Sequence, residues 1–577
     1  MHTLGINAAF HDCSAALLRD GKVLAAAEEE RFTRIKHGKR PVPFSTWQLP
    51  YHAIDYCLRV AGINLGDVDH IAYSFDPALL QPALAPDGIL TLPLEPSAAR
   101  RPEGQGSPWD PLFLSYIINA PRQLVDGVPH HLRQRFAGAS LERIMEKWQF
   151  VEHHLTHEAS AFLASPYDET AVLTMDGRGE RASTSYGHYR DGKYDRIKQV
   201  NLPHSLGLLY EDVTRYLGFL HSSDEYKVMA LASYGKPVYV DDFRDILRED
   251  GAGGYTVQAA DLAARFGPPR GRGEQFEQKH MDIAHSLQCV LEETVLAMAH
   301  WLHGATRSDR LCMAGGVALN CVMNARLAAQ SPFRDIWVQP AAGDAGTSLG
   351  AALWVDLHQR EGGRQWTMDH AYLGPEYSDE EIESFLDYAG LRYTRLTQVA
   401  EAAAELLADE KIIGWFQGRM EFGPRALGAR SILASPRDSA MQSRLNALKD
   451  REDFRPVAPV VLAERAHEWF DARGRSAIDA PFMLFVFDVL QDKADMIPAV
   501  RHIDGTARVQ TVTHSQNALL HELLTAFGEK TGVPVLVNTS FNTRGEPVVC
   551  SPRDALESFW TSPLDALVIG RYLVEKP

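Results

Sequence analysis

The sequence has no apolar run near the length of about 20 residues that a transmembrane helix needs. Its first residues also lack the basic and apolar segments of a secretory signal. Its six cysteines are scattered and form no Cys-x-x-Cys pair, which is typical of a chain with reduced thiols. These absences predict a cytoplasmic protein with no membrane partner.

An excess of positive charge is also missing, since the formal net charge is -17. A protein that wraps nucleic acid needs a basic surface to neutralise phosphates, so no nucleic-acid partner is predicted. The Gly-x-x-x-x-Gly-Lys-Ser/Thr pattern of a P-loop is absent as well. A small anion site lined by a few arginines remains compatible with this charge.

The sequence contains the pattern of an α/β protein. Apolar segments on either side of Asp20-Gly21 predict a β-hairpin. The same arrangement recurs roughly 165 residues later around Asp191-Gly192, which indicates a duplicated unit. Further on, strand patterns alternate with helix patterns, including a long apolar helix over 282–304 and glycine turns at 315–316 and 343–346.

A chain of 577 residues is too long for a single core, and composition suggests where it divides. Residues 357–372 turn polar and contain glycines, so we expect a linker there, between domains at 1–356 and 373–577. Residues 77–129 hold 10 of the 32 prolines and show little periodicity. We interpret them as an insertion that either lies near the substrate or is a surface excursion without function.

Two histidines and a carboxylate suggest a metal site. His153 and His157 are four residues apart at the start of a predicted helix and therefore share a face, and Asp176 follows a buried strand pattern. Such groups suit a divalent ion. The histidine pair alone is weak evidence, because 23 histidines supply roughly one such pair by chance.

Arginines recur where predicted strands end in the second half of the chain. Arg419, Arg425 and Arg430 lie in a glycine-rich segment directly after a strand pattern, and guanidinium groups there suit phosphate or carboxylate. Polar residues after later strand patterns extend the set: Lys449, Arg451, Arg455, Arg508, Asn538, Ser540 and Arg544. We predict a phosphate-binding site in this domain.

Longer motifs give the sequence a resemblance to a known family. It resembles the NodU/CmcH carbamoyltransferase family, which includes nodulation-factor, cephem and tobramycin O-carbamoyltransferases, and the resemblance covers nearly the whole chain. The motifs that carry it are Asn7–Asp12, Ala27–His37, His153–Ser160, Met175–Gly177, Ala314–Asn320, Gly343–Asp344, Gly418–Gly428 and Asn538–Asn542. The segment 77–129 is the main departure, and it leaves the acceptor open.

The resemblance implies an N-terminal domain with a duplicated ribonuclease-H-like (actin-like ATPase) fold and a C-terminal α/β YrdC-like domain that forms the adenylate. It implies that His153, His157, Asp176 and Asp344 bind a metal, with Fe²⁺ or another divalent ion expected. His11, Lys36 and Arg425 are the implied catalytic residues. The implied sites for carbamoyl phosphate and ATP are Arg419, Lys449, Arg455, Arg508, Ser540, Asn538 and Arg544, and those for nucleotide in the transfer domain are Gly315, Gly316 and Asn320.

The implied reaction uses carbamoyl phosphate and ATP with Mg²⁺ to make carbamoyl-adenylate. The carbamoyl group then passes to a hydroxyl of a small-molecule acceptor, such as an antibiotic, another natural product or a sugar. Two alternatives stay open: a fusion of the tRNA threonylcarbamoyl-transferase type, which the acidic charge disfavours, and an actin-like kinase or ATP-binding regulator. A homodimer is one expectation for the assembly.

Overall fold

The computed structural model describes residues 1–38, 49–79, 110–126, 136, 139–472, 477–543 and 545–576 of a mixed α/β protein. The first sheet has the strand order β3-β2-β1-β4-β5. Its elements are β1 (His2–Asn7), β2 (Ser14–Arg19), β3 (Lys22–Glu28), α1 (Glu30–Thr33), α2 (Tyr51–Ala61), β4 (His70–Tyr73), α3 (Asp110–Ile118), α4 (Ala120–Asp126), α5 (Leu141–Lys147) and β5 (Trp148–Phe150).

A second five-stranded sheet follows, with the order β12-β11-β6-β7-β8. Its elements are α6 (His153–Phe162), β6 (Thr170–Met175), β7 (Ala182–Arg190), β8 (Lys193–Asn201), α7 (Leu206–Tyr216), α8 (Glu225–Ala232), α9 (Val240–Ile246), β9 (Leu247–Glu249), β10 (Tyr255–Val257), α10 (Leu262–Phe266), α11 (Gln278–Thr306), β11 (Arg310–Ala314), α12 (Cys321–Gln330), β12 (Asp335–Val338) and α13 (Ala345–Gln359). Strands β9 and β10 form a separate pair.

The two sheets share one topology. In the first, β1 pairs antiparallel with β2 and parallel with β4; in the second, β6 pairs antiparallel with β7 and parallel with β11. The hairpin turns at Asp20-Gly21 and Asp191-Gly192 both use positive φ angles, which aspartate and glycine tolerate. The predicted hairpins are therefore confirmed, and they recur in the same place in each sheet.

The rest of the chain forms a third sheet with the order β13-β22-β21-β14-β15-β20-β16-β19. Its elements are α14 (Asp379–Tyr388), β13 (Thr394–Arg395), α15 (Val399–Ala408), β14 (Ile413–Phe416), β15 (Arg430–Ala434), α16 (Met441–Leu448), β16 (Ala458–Leu462), β17 (Val486–Asp488), β18 (Thr506–Arg508), β19 (Gln510–Val512), α17 (Ala518–Thr531), β20 (Val535–Ser540), α18 (Pro552–Thr561), β21 (Ala566–Ile569) and β22 (Tyr572–Glu575). Strands β17 and β18 pair separately.

Helix α13 is packed tightly between the first sheet and helix α6. A Cβ on Gly350 of α13 would lie 1.8 Å from the carbonyl oxygen of Thr156 in α6, and a Cβ on Gly5 of β1 would lie 1.9 Å from that of Ser348. Only glycine allows both approaches. The helix thus fixes the residue before it, Asp344, relative to the histidines of α6.

Two regions expected from composition differ in detail. Helix α13 continues to Gln359, so the first three residues of the expected linker at 357–372 are helical. Polar residues near its end suggested an earlier stop, but the helix is held by tertiary packing. Within the expected insertion, the described residues form a short 3₁₀ turn at Pro77–Leu79 and helices α3 and α4; residues 80–109 and 127–129 lie outside the described ranges.

Candidate functional site

The four residues expected to bind a metal do converge. His153 and His157 project from the first turns of α6, with ring centroids 4.8 Å apart. Asp176 directly follows β6, and Asp344 directly precedes α13. The Nε2 atom of each histidine lies 3.6 Å from Asp344 Oδ1, and the Nε2 atoms lie 3.8 and 3.9 Å from the two oxygens of Asp176.

The site is buried, and its polar atoms lack protein partners. His153 and His157 have no exposed surface, and Asp344 is 1% exposed. Within the described chain, Nε2 of both histidines and both oxygens of Asp344 have no hydrogen-bond partner. Ligands at about 2.0–2.2 Å from one four-coordinate ion would lie about 3.4 Å apart. Two imidazoles and two carboxylates with these separations therefore fit a divalent metal ion.

Hydrogen bonds around the site orient its ligands. The carbonyl oxygen of Ser74 lies 3.1 Å from His153 Nδ1, so that nitrogen donates and Nε2 faces the carboxylates. The backbone N–H of Gly316 donates to Asp176 Oδ1 at 2.8 Å. Burial raises the pKa of Asp344, but the charge of His11 and the two nearby imidazoles outweigh it and lower that pKa to about 2. The carboxylate is therefore ionised near neutral pH.

The predicted catalytic residue His11 borders the buried set of His153, His157, Asp176 and Asp344, which we name the metal-type site. Its Nε2 lies 3.7 Å from Asp344 Oδ2, and its Nδ1 lies 3.0 Å from Asp12 Oδ2. Phe10 packs edge-on against His153 at 5.2 Å and stacks on Phe113 of α3 at 5.3 Å. Phe113, within the segment 77–129, thus contacts the residue that precedes His11; a place of this segment near the substrate stays a prediction.

The glycine turn after β11 supports the metal-type site rather than presenting open amides. Gly315 has a φ of +89°, and a Cβ there would lie 2.1 Å from the carbonyl oxygen of Met175. Gly316 is bound to Asp176, as described above. Asn320 caps α12, and its amide exchanges hydrogen bonds with Gln288. A nucleotide-binding role for Gly315, Gly316 and Asn320 stays a prediction.

A second site consists of positive charges packed together. Tyr226 of α8 has Lys36 Nζ 5.9 Å from its ring centroid and the Arg455 guanidinium 4.9 Å from it. All six of the cations are predicted site residues. We name the set the cation cluster: Lys36, Arg425, Lys449, Arg451, Arg455 and Arg508 lie within electrostatic range of one another.

The cation cluster is poorly neutralised by the protein. Burial and then the charge of Arg508 lower the pKa of Arg425 to about 9, and burial with Arg455 lowers that of Arg451 to about 9. Glu452 is 3.6 Å from Arg455 but also binds Lys227 at 3.1 Å. In the described ranges, Nε of Arg425, Nε of Arg508 and Nη2 of Arg451 are buried without a hydrogen-bond partner. Unpaired donors on buried cations are what a phosphate group would satisfy.

Lys449 is the one member of the cation cluster whose ammonium is held by neighbouring oxygens. It donates to the carbonyl oxygen of Ser540, to Ser540 Oγ at 2.9 Å and to Asn542 Oδ1 at 2.8 Å. Burial, then Arg451, Arg455 and Lys36, lower the pKa of Lys449 well below its ordinary value. Lys449 therefore fixes the loop after β20, and Ser540 joins the site through it.

Two other predicted residues are engaged in structural contacts. The guanidinium of Arg419 donates to the carbonyl oxygens of Leu24, at 2.9 Å, and Leu373, at 2.7 Å, and to the hydroxyl of Tyr56. These contacts join the third sheet to the first. Asn538 donates to Gln510 Oε1 at 2.7 Å and to the carbonyl oxygen of Ala426. Arg544 lies outside the described residues.

Sequence reasoning did not single out two residues of these sites, whereas Arg451, which the predicted phosphate-binding set includes, does belong to the cation cluster. Tyr226 contacts two cluster members, yet nothing in its local sequence distinguishes it from a core tyrosine. His37 lies 2.9 Å from Asp12 and was visible only within the family motif Ala27–His37.

Comparisons with known proteins identify the family of the chain. Residues 2–353 match the family described as Carbamoyltransferase N-terminus, and residues 404–576 match Carbamoyltransferase C-terminus. The chain therefore belongs to the carbamoyltransferase family and is a transferase. The resemblance inferred from the motifs is confirmed.

Several relatives span the whole chain. An uncharacterised protein of Synechocystis, sll1178, is 39% identical over 100% of this chain and 97% of its own length. Nodulation protein NolNO of Sinorhizobium fredii is 40% identical over 99% of this chain and 80% of its own. Among solved structures, component A of Acidaminococcus fermentans (R)-2-hydroxyglutaryl-CoA dehydratase matches 61% of this chain and 97% of its own at 14% identity, with a TM-score of 0.32 that supports no argument.

Across the described residues, no helix combines the length and apolarity needed to cross a membrane.

Proposed function

We propose that this carbamoyltransferase joins carbamate to AMP in its C-terminal half and passes the carbamoyl group to an alcohol in its N-terminal half. The observation that carries the proposal is the contact of Lys36, near the metal-type site, and Arg455, of the third sheet, with one tyrosine ring. Its substrates are carbamoyl phosphate, ATP with Mg²⁺, and a small molecule bearing a hydroxyl group. We assign 1–356 to an actin-like transfer domain, which the duplicated topology supports, and 373–577 to a YrdC-like adenylate-forming domain.

The first half-reaction needs positive charge. Water hydrolyses carbamoyl phosphate to carbamate and phosphate. An oxygen of the carbamate then attacks the α-phosphorus of ATP, the bond to pyrophosphate breaks, and carbamoyl-adenylate forms. Two anions must approach each other, and repulsion between them is relieved only by nearby cations. Arg425, Arg455 and Arg508 offer guanidinium donors, and two of them have a buried nitrogen that no described group accepts from.

The second half-reaction needs a base beside a polarised carbonyl. A divalent ion held by His153, His157, Asp176 and Asp344 would supply a Lewis acid that stabilises charge developing on oxygen. His11 Nε2 accepts the proton of the acceptor hydroxyl while the hydroxyl oxygen attacks the carbamoyl carbon, and AMP leaves. Phe10, the residue before His11, stacks on Phe113 at the edge of this site.

The test measures each half-reaction separately. We expect pyrophosphate release that depends on both ATP and carbamoyl phosphate in the wild type. His11→Ala should retain that release and lose consumption of added carbamoyl-adenylate in the presence of an alcohol. Arg455→Ala should show the reverse pattern. Carbamoyl phosphate-independent pyrophosphate release, or loss of both half-reactions in each folded variant, would refute the proposal.

A further inference from the structure

Asp12 is an unusual neighbour for the proposed base, because its carboxylate lies between two imidazole rings. Its Oδ2 is 3.0 Å from His11 Nδ1, and its Oδ1 is 2.9 Å from His37 Nδ1. The remaining nitrogen of His11, Nε2, points to the metal-type site, 3.7 Å from Asp344 Oδ2. The order of groups is therefore His37, Asp12, His11, Asp344.

The backbone is held in uncommon conformations to bring these groups together. Phe10, Asp12 and His37 all have positive φ angles, of 55°, 51° and 57°. Each such residue other than glycine costs of order 1 kcal/mol and persists only where its surroundings enforce it. The Asp12 N–H donates to the carbonyl oxygen of His37 at 3.3 Å, which ties the two segments directly.

A second cation is a rival explanation, since Asp12, Glu30 and His37 offer three ligand atoms close together. Each of these groups already has a protein partner. Glu30 Oε2 accepts from the backbone N–H of His37 at 2.6 Å, and its Oε1 lies 3.0 Å from Arg31. Asp12 is bound to both imidazoles. The carboxylate oxygens of Asp12 and Glu30 thus have partners without an ion, unlike those of Asp344, although Nε2 of His37 is buried with no hydrogen-bond partner among the described residues.

We propose that Asp12 is a positioning residue that holds His11 in one tautomer. Its carboxylate accepts the Nδ1 proton of His11, so the imidazole lone pair resides on Nε2 and faces the reacting hydroxyl. His37 donates to the other oxygen and fixes the orientation of the carboxylate. The inference rests on the proposed role of His11 as the base and names what makes that role effective.

The distinguishing experiment compares Asp12→Asn with Asp12→Ala. An asparagine can accept from His37 and donate its amide N–H to His11 Nδ1, which puts the His11 proton on Nε2 and removes the base. Alanine removes the carboxylate without enforcing either tautomer. We therefore expect kcat for carbamoyl transfer to fall about 10²–10³-fold in Asp12→Asn, and less in Asp12→Ala, with KM nearly unchanged.

A purely structural role predicts the opposite order, because asparagine is isosteric with aspartate and fills the same space. Transfer is measured as AMP release and carbamoyl-glycerol formation from synthetic carbamoyl-adenylate, with glycerol as the alcohol. Added formate should partly restore Asp12→Ala and leave Asp12→Asn unchanged. Asp20→Asn is the matched control, since Asp20 also has a positive φ, of 49°, and is an exposed turn residue whose carboxylate accepts from the N-terminal ammonium.

A second measurement does not depend on turnover. In zinc-loaded protein with ¹⁵N-labelled histidine, the His11 signal, identified by its loss in His11→Gln, should show a protonated Nδ1 in the wild type and a protonated Nε2 in Asp12→Asn. The same tautomer in both proteins would overturn the inference. Absence of carbamoyl phosphate-dependent pyrophosphate release in the wild type would instead refute the proposed function, and the tautomer result would stand apart from it.

Discussion

Substitution of one buried histidine should remove the response of this protein to divalent metals. Both ring nitrogens of His157 are buried and have no hydrogen-bond partner in the described part of the chain. In His157→Gln a weakly binding amide oxygen replaces the imidazole nitrogen Nε2, which lies 3.6 Å from Asp344 Oδ1. We expect metal-induced stabilisation to disappear in this variant.

The size of the effect follows from linkage. A ligand present at about 100 times its Kd stabilises the folded state by about 2.7 kcal/mol. A cooperative unit of about 350 residues has an unfolding entropy of about 0.7 kcal/mol per kelvin, so the wild-type Tm should rise by about 4 °C. The assay is thermal unfolding with and without Fe²⁺, Mn²⁺ or Zn²⁺, compared within each variant so that any intrinsic loss of stability cancels.

His188→Gln is the matched control. His188 lies in β7, in the same sheet as the strand β6 that precedes Asp176. Its Nε2, however, is bound to the exposed Glu169 at 3.1 Å. This variant should keep the full Tm increase. Asp344→Asn provides a second ligand variant in case His157→Gln does not fold. A full increase in either folded ligand variant would show that the metal binds elsewhere and that the buried set is only an ion-pair network.

Basic residues of the C-terminal half give three more predictions. Arg455→Met should slow carbamoyl-adenylate formation about 10²-fold, which is the effect of losing one charged hydrogen bond to phosphate. Arg437→Met is the control and should not slow it, because Arg437 binds Glu410 and is not a member of the cation cluster. The lowered pKa of Lys449 means that its charge opposes folding below that pKa, so the stability of the ligand-free protein should rise, and pyrophosphate binding weaken, as pH increases from that value towards about 10.4. Lys449→Met should lack this contribution, so the difference in stability between wild type and variant should change over this window. Arg419→Met should lower the free energy of unfolding by about 1–3 kcal/mol and leave the KM for ATP unchanged in kinetic assays, because its hydrogen bonds go to carbonyl oxygens between the sheets.

Features that depend on local spacing were predictable from the sequence. The hairpin turns, the long helix α11 and the histidine pair of α6 each follow from patterns within a few residues. The duplicated topology was visible because the hairpins recur. The proximity of Asp176 to Asp344 was not predictable from local spacing, since it depends on how α13 packs between the first sheet and α6. Asp344 was included only because of the family motif.

The direction of an arginine side chain was the main feature that the sequence could not supply. Arg419 and Arg425 lie six residues apart in one glycine-rich segment and look equivalent as anion ligands. Gly418 has a φ of +52° and Gly423 one of +120°, and these turns direct the two side chains to different surroundings. Arg419 reaches carbonyl oxygens of the first sheet, while Arg425 reaches the cation cluster. Only tertiary structure determines those backbone angles.

Residues 28–37 connect the surroundings of the metal-type site with the cation cluster. Arg31 donates to the carbonyl oxygen of Gly423 at 2.8 Å, and Arg34 donates to those of Pro547 and Val548 at 2.9 and 2.6 Å. These bonds attach the segment to the C-terminal half a few residues before Lys36 and His37. Lys36 belongs to the cation cluster, and His37 binds Asp12. Because one short segment contacts the C-terminal half and also contributes to both sites, separation of the halves would disturb the contacts of Asp12 as well as the cation cluster. We therefore expect the contact between the two halves to help hold Asp12 and His11 in place.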